Sequence, residues 1–142
     1  MNDNGIPTDV PTRLAIADKI INEAAKLGIP SEDVVIDPLA MSVAADDQAG
    51  LGALTAMRQI RDKLGVNQTI GASNISYGLP DRRSVNTTFL AMAVVCGLTC
   101  PITDPTVWEI RRTLLLSDLL YGRDEYAMNY ISAYREKFPE ED

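Results

Sequence analysis

Histidine is absent from the 142 residues, which removes serine–histidine triads, cysteine–histidine nucleophiles, HExxH zinc sites and histidine general bases from this chain. Chemistry here has to come from carboxylates, amides, hydroxyls, arginines or a bound cofactor. The polar groups best placed to supply it each follow a short apolar run. Asp37 follows Val34-Val35-Ile36, the Ser73-Asn74-Ile75-Ser76-Tyr77 run follows Thr69-Ile70-Gly71-Ala72, and Asp104 follows Cys100-Pro101-Ile102-Thr103. If the runs are parallel strands, these residues share one rim, the end at which α/β proteins bind ligands. The alternative is purely local: Asp37 and Asp104 shape turns before Pro38 and Pro105, while Asn74 and Ser76 cap a loop. Spacing alone leaves both readings open.

The elements that would hold this rim alternate. Residues 12–27 place Leu14, Ala17, Ile21 and Ala24 at helical intervals between Pro11 and Gly28, the pattern of an amphipathic helix. Val34 to Ile36 reads as a short buried strand that Pro38 stops at Asp37. A second helix is expected over residues 47–64, closed by Gly65, then a strand over residues 69–73. A third helix over residues 84–96 ends at Gly97. The strand over residues 100–103 then leads into a fourth helix that runs to about Leu120, with Asp104 as its cap. Tyr126, Tyr130, Ile131 and Tyr134 mark a last helix within residues 122–138, and the acidic tail from Pro139 is expected to fray.

Helices alternating with short apolar strands call for a parallel sheet, either a (β/α)8 barrel or an open doubly wound sheet. Asp37, Asn74 and Asp104 lie 37 and 30 residues apart, close to the roughly 31 residues per unit of an eight-unit barrel of about 250 residues. Only three complete strands are visible. They would leave unpaired edges on both sides, so the expected fold is the C-terminal part of a (β/α)8 TIM barrel lacking its front strands, as one partial domain over residues 1–142.

Composition narrows the partners. With 46% hydrophobic and 23% charged residues, the chain is globular rather than disordered. No stretch approaches the roughly 20 apolar residues of a membrane helix, and the start is not signal-like, so no membrane association and a cytoplasmic setting are expected. A net charge of -7 without a basic stripe makes nucleic acid an unfavourable partner. Cys96 and Cys100 read as buried, reduced core thiols, and Met41, Met57 and Met92 as core filler.

Taken together, IDPLA, GASNISYGLPDRRSVNTTFLAMAVVCGL and PITDP resemble the pterin-binding methyltransferases that act on methyltetrahydrofolate and a corrinoid protein. More distantly they resemble dihydropteroate synthase and the folate domain of cobalamin-dependent methionine synthase. The opening MNDNGIPTD is similar to a segment that follows an earlier strand in that family, so the likeness runs from near residue 1 to about residue 120. The resemblance implies that Asp37 pairs with the pterin ring, where a carboxylate accepts parallel hydrogen bonds from the ring N–H and the exocyclic amine. It implies that Asn74 lies near N5, the nitrogen that carries the methyl group. There an amide donates to neutral N5 or, after rotation, accepts from protonated N5. Ser76, Tyr77 and Arg82 are implied around the same ring, and Arg61 matches a basic residue of the preceding helix.

The activity so implied is methyl transfer from 5-methyltetrahydrofolate to the cobalt of a corrinoid (cobalamin) carried by a partner protein, with no metal held by this chain. A homodimer or a complementary N-terminal half-barrel is the implied partner. Two other readings stand beside it. One is a dihydropteroate synthase-like enzyme, for which a basic pyrophosphate-binding arrangement is not evident. The other is a non-catalytic half-barrel.

Overall fold

The computed structural model describes residues 5–139. The MNDN part of the resemblance and the tail beyond Pro139 lie outside the described residues. Helix α1 (Val10–Lys26) starts where the Asp9 carboxylate accepts from the Thr12 N–H at 2.8 Å, and this bond holds the Asp9 pKa below its ordinary 3.8. Strand β1 is only Val35–Ile36. Helix α2 (Ala49–Leu64) ends on left-handed Gly65, strand β2 covers Asn67–Gly71, and Ala72–Ser76 form a 3-10 turn. Helix α3 (Arg82–Cys96), strand β3 (Cys100–Ile102), helix α4 (Trp108–Leu120) and helix α5 (Met128–Lys137) complete the described chain.

The three strands are parallel in the order β1-β2-β3, with Val35 opposite Asn67 and Thr69 opposite Cys100. Successive crossover helices pack side by side, α1 on α2, α2 on α3 and α3 on α4. On β2 the alternation is clear: Gln68 and Ile70 are fully buried beneath the helices, whereas Asn67, Thr69 and Gly71 are only partly covered. Across the register, Val35, Cys100 and Ile102 are exposed on the same side as Thr69. One face of this sheet is therefore packed and the other is open. Parallel sheets are stable when both faces are covered, and here the helices cover only one. The strand order never reverses, as it must at the switch point of a doubly wound sheet. The chain is an α/β unit of parallel strands with helices on one side, and no closed barrel is formed among the described residues.

The core lies between sheet and helices. Ala53, Met57, Ile70, Leu90, Ala93 and Leu98 are at most 2% exposed, and the small Ala53 and Ala93 let α2 and α3 approach over β2. A second cluster, Ala17, Ile36, Ile60 and Val66, joins α1 to β1 and α2. Buried among these apolar groups, the Gln68 amide donates to the Met57 and Gly97 carbonyls at 3.0 and 3.2 Å, tying β2 to α2 and to the end of α3. Further along, Trp108 meets Phe138 edge to face at 5.8 Å, and the Asp124 carboxylate accepts from the Asn129 and Tyr130 N–H groups to start α5.

Several sequence expectations need correction. Asp104 does not cap α4: the residue before the helix is Val107, and Asp104 instead accepts from the Thr106 N–H and hydroxyl at 2.9 and 2.7 Å. The Asp104-Pro105 turn thus closes on itself two residues before the helix begins. The strand expected over residues 69–73 sits earlier, because the 3-10 turn takes over at Ala72. Of the two free thiols, Cys96 is buried but Cys100 is exposed, since it lies on the uncovered sheet face. Met57 is core, while Met41 and Met92 are 43% and 50% exposed.

Gly97 makes the tightest backbone demand. Its φ is +114°, and a Cβ there would lie 2.8 Å from Arg61 Cβ and 2.9 Å from Gln68 Nε2. Gly97→Ala combines a strained backbone with overpacking, and a loss of about 2–4 kcal/mol is expected, read as a lowered urea midpoint at unchanged slope.

Candidate functional site

The rim beyond the strand C-termini is built by three loops. Asp37 continues the β1 alternation onto the open face, and its carboxylate accepts from the Leu39 N–H at 2.8 Å. That bond closes a turn in which Leu39 takes a left-handed φ of 68°. One carboxylate oxygen is so engaged, and the exposed side chain keeps the rest of its acceptor capacity for a ligand.

Asn74 is exposed at the end of β2. Its amide folds back over Gly71, with Nδ2 3.0 Å from where a Cβ on that residue would stand. Since Gly71 lies on the same sheet face as Thr69, the Asn74 amide and the Asp37 carboxylate occupy neighbouring strand ends above the open face. The two are brought to one surface by β1–β2 pairing.

Ser76, Tyr77 and Arg82 are also brought together. Ser76 is fully buried; its hydroxyl accepts from Arg82 Nε at 3.0 Å and lies 3.3 Å from the Ser73 carbonyl. Arg82 Nη2 donates to the same Ser73 carbonyl at 2.9 Å, and its guanidinium lies 5.9 Å from the centre of the Tyr77 ring. This burial turns the Ser76 hydroxyl inward, where it braces the turn. Tyr77 is 71% exposed, so its ring is free to meet a ligand, while its carbonyl accepts from Ser42 Oγ in the preceding loop. The Val43 N–H donates to the Ile75 carbonyl at 3.0 Å, a second tie between the loops.

Arg61 does not join them. It lies in the last turn of α2, donates to the Val95 carbonyl at 2.6 Å near the end of α3 and pairs with Asp62 at 2.7 Å. Both helix ends lie at the N-terminal side of the strands, opposite the rim, and Arg61 links them there.

A residue that carries no chemical signal in the sequence proves important to the rim. Arg13 is 7% exposed, yet among the described residues no carboxylate pairs with it. Its guanidinium donates to the Pro7, Pro38 and Leu39 carbonyls at 3.1, 3.3 and 3.2 Å. Burial pushes its pKa down, with Asp9 and Asp46 acting against that, and an arginine stays charged at neutral pH. The signal available beforehand was positional: Arg13 is one turn before Ala17, on the buried stripe of α1. A cleft of about 270 Å³ runs from Arg13 along the free edge of β1 past Val35 and Asp37. Among the described residues, no group of three or more His, Cys, Asp or Glu side chains converges as a metal centre would require, and no helix is long and apolar enough to cross a membrane.

A parallel α/β unit carrying an aspartate and an asparagine on adjacent strand ends, above an open interior face, has the outline of one sector of a pterin-binding barrel. The model of the family described as "Pterin binding enzyme" matches residues 6–104, which covers all three strands and the rim, and the chain belongs to this family. Among individual proteins it is similar to a methylcorrinoid:tetrahydrofolate methyltransferase of Eubacterium limosum, 28% identical over 133 residues. That alignment takes in 93% of this chain and 49% of the relative, so the chain spans about half the length of the protein it matches.

Two outcomes are expected. Arg13→Met strands two carbonyls beside Asp37, and a loss of about 2–3 kcal/mol is expected in chemical denaturation, with hydrogen exchange in residues 37–40 rising more than in α3. Asp104, held below 3.8 by the Thr106 hydroxyl and then by its N–H, binds its last proton at a lower pH folded than unfolded. Its contribution is present above the unfolded value and lost as pH falls through the folded one. A carboxyl carbon titration by NMR should give Asp104 a midpoint below 3.8 that rises in Thr106→Ala.

Proposed function

We propose that the chain supplies part of the pterin site of a folate-dependent methyltransferase, in which a methyl group passes between N5 of tetrahydrofolate and the cobalt of a corrinoid carried by a partner protein. The observation that carries this reading is the juxtaposition of Asp37 and Asn74 on one open sheet face, within the span matched by the family. The Eubacterium limosum relative supports the corrinoid and folate assignment by its name.

In this reading Asp37 recognises the pterin. Its uncommitted acceptor positions take the ring N–H and the exocyclic amine, a pairing that fixes the plane and rotation of the ring. Asn74 faces N5. When the methyl group departs, the electron pair of the C–N bond remains on N5, which must have gained positive character beforehand and ends protonated. In the opposite direction N5 attacks as a neutral amine and later sheds its proton. An amide serves both directions, since it donates to the neutral nitrogen and accepts from the protonated one. Tyr77 borders the ligand, and Arg82 and Ser76 act from behind by holding the turn that carries Asn74. The corrinoid supplies the nucleophilic or methylated cobalt, and this chain contributes orientation and the polar contacts at N5.

The open face and free strand edges support a further part of the reading: the site is completed by additional βα units that close the sheet into a barrel over Asp37 and Asn74. A complementary N-terminal half-barrel would do this, and homodimerisation would cover further apolar surface.

Calorimetric titration with methyltetrahydrofolate tests the site. Binding by the intact protein should weaken about ten- to a hundredfold in Asp37→Asn, which removes a charge-assisted pair; equal affinities would exclude Asp37 from ring recognition. In stopped-flow transfer to cob(I)alamin, Asn74→Ala should slow the reaction by about 100-fold or more while changing binding far less. An unchanged rate would remove Asn74 from the chemistry.

A further inference from the structure

We propose that Gly71 is a positioning residue for methyl transfer, and that its missing side chain is what allows the Asn74 amide to stand over the end of β2; the inference rests on the role given to Asn74 above. The backbone of Asn74 is already fixed by the turn: its carbonyl accepts from the Tyr77 N–H at 3.2 Å, and Arg82 holds the carbonyl of the preceding Ser73 at 2.9 Å. These bonds leave the side-chain torsions of Asn74 unset. Among the described residues no hydrogen bond from the Asn74 amide to another protein group restrains it, so packing decides where it points. The surface it packs on is Gly71, where a Cβ would lie 3.0 Å from Nδ2 and 3.6 Å from Cγ, inside or at the edge of the usual contact distance of about 3.5–4 Å.

The glycine is not explained by its backbone. Its φ of -72° and ψ of 84° lie on the side of the map open to any L-residue, unlike Gly65 or Gly97 with their positive φ. Among the described residues the three nearest atoms that a Cβ would meet, at 3.0, 3.6 and 4.0 Å, all belong to the Asn74 side chain. A methyl group at this position therefore acts on a single neighbour, the amide that faces N5. Because Gly71 also lies on the open face that the pterin would cross, the absence of a Cβ brings the amide down toward the plane of the ligand instead of leaving it raised on the turn.

The test is a double-mutant cycle in the intact protein, with methyltetrahydrofolate as donor and cob(I)alamin as acceptor. Gly71→Ala should lower the transfer rate severalfold, up to about 10-fold, the cost of a group displaced by a fraction of an ångström, with methyltetrahydrofolate affinity changed far less. Gly71→Ala/Asn74→Ala should be no slower than Asn74→Ala alone, because the second change has no amide left to displace. Any loss of melting temperature in Gly71→Ala should be recovered in the double variant. A structural readout stands apart from activity: in ¹⁵N-labelled protein the Asn74 side-chain NH2 pair, identified by its disappearance in Asn74→Ala, should shift in Gly71→Ala.

Outcomes separate the two ideas. If Asn74→Ala slows transfer while Gly71→Ala matches the unaltered protein, Gly71 is not a positioning residue. Independent, additive losses in the cycle overturn it as well, since Gly71 would then act on something other than Asn74. If Asn74→Ala leaves the rate unchanged, the catalytic reading of Asn74 fails, and with it any role for Gly71 in transfer. The NH2 shift then reports only whether the steric contact exists.

Discussion

Strand β2 is the only strand with a neighbour on each side, and the parallel pairing it makes with β1 and β3 orders everything else in the chain. Through Ile70 and Gln68 it anchors α2 and α3 to one face. Through its register it delivers Asp37 and Gly71 to the other. A slip of one residue would exchange the two faces, placing Thr69 in the core and Ile70 in the open. The buried Gln68 amide guards against this, because only in the observed register do the Met57 and Gly97 carbonyls meet its donors. Its Oε1 has no protein partner, so the guard costs some desolvation while making the alternative worse.

The second layer of organisation is the bracing of loops by two cations, the buried Arg13 and the exposed Arg82. Arg13 reaches from α1 to the loop after Asp37, and Arg82 reaches from α3 back to the turn that carries Asn74. Each donates to backbone carbonyls rather than to carboxylates, so neither depends on a surface ion pair, whose contribution salt would screen. The polar groups offered to a ligand sit on loops, yet those loops are tied to helices by directional bonds. Such ties limit the freedom that a site must otherwise lose on binding.

Helices, strand order and the polar rim were legible in the sequence because apolar periodicity, glycine stops and proline breaks are local signals. Arg13 was hidden because a charged residue on a buried stripe looks like a solvated helix residue until the carbonyls it serves come from 25 residues away. The settings of Ser76 and Arg61 were hidden for a related reason. Neighbourhood in a motif does not reveal whether a side chain faces the ligand or supports the backbone, nor at which end of a crossover a helix residue lies. Asp104 misled because Asp-Pro marks both a helix cap and a self-closed turn, and Thr106 decides between them. Cys100 required knowledge of which sheet face the helices cover.

Among the described residues the two outer strands of the sheet are short, and each has a proline in it or just beyond it. β1 holds two residues before Asp37-Pro38, and β3 carries Pro101 at its centre. An edge so brief and so poor in N–H donors is a bad template for indiscriminate stacking of like strands. The same edges still fit a strand that arrives in one register, so the chain is protected from fibril-like growth while remaining open to a single geometrically matched neighbour.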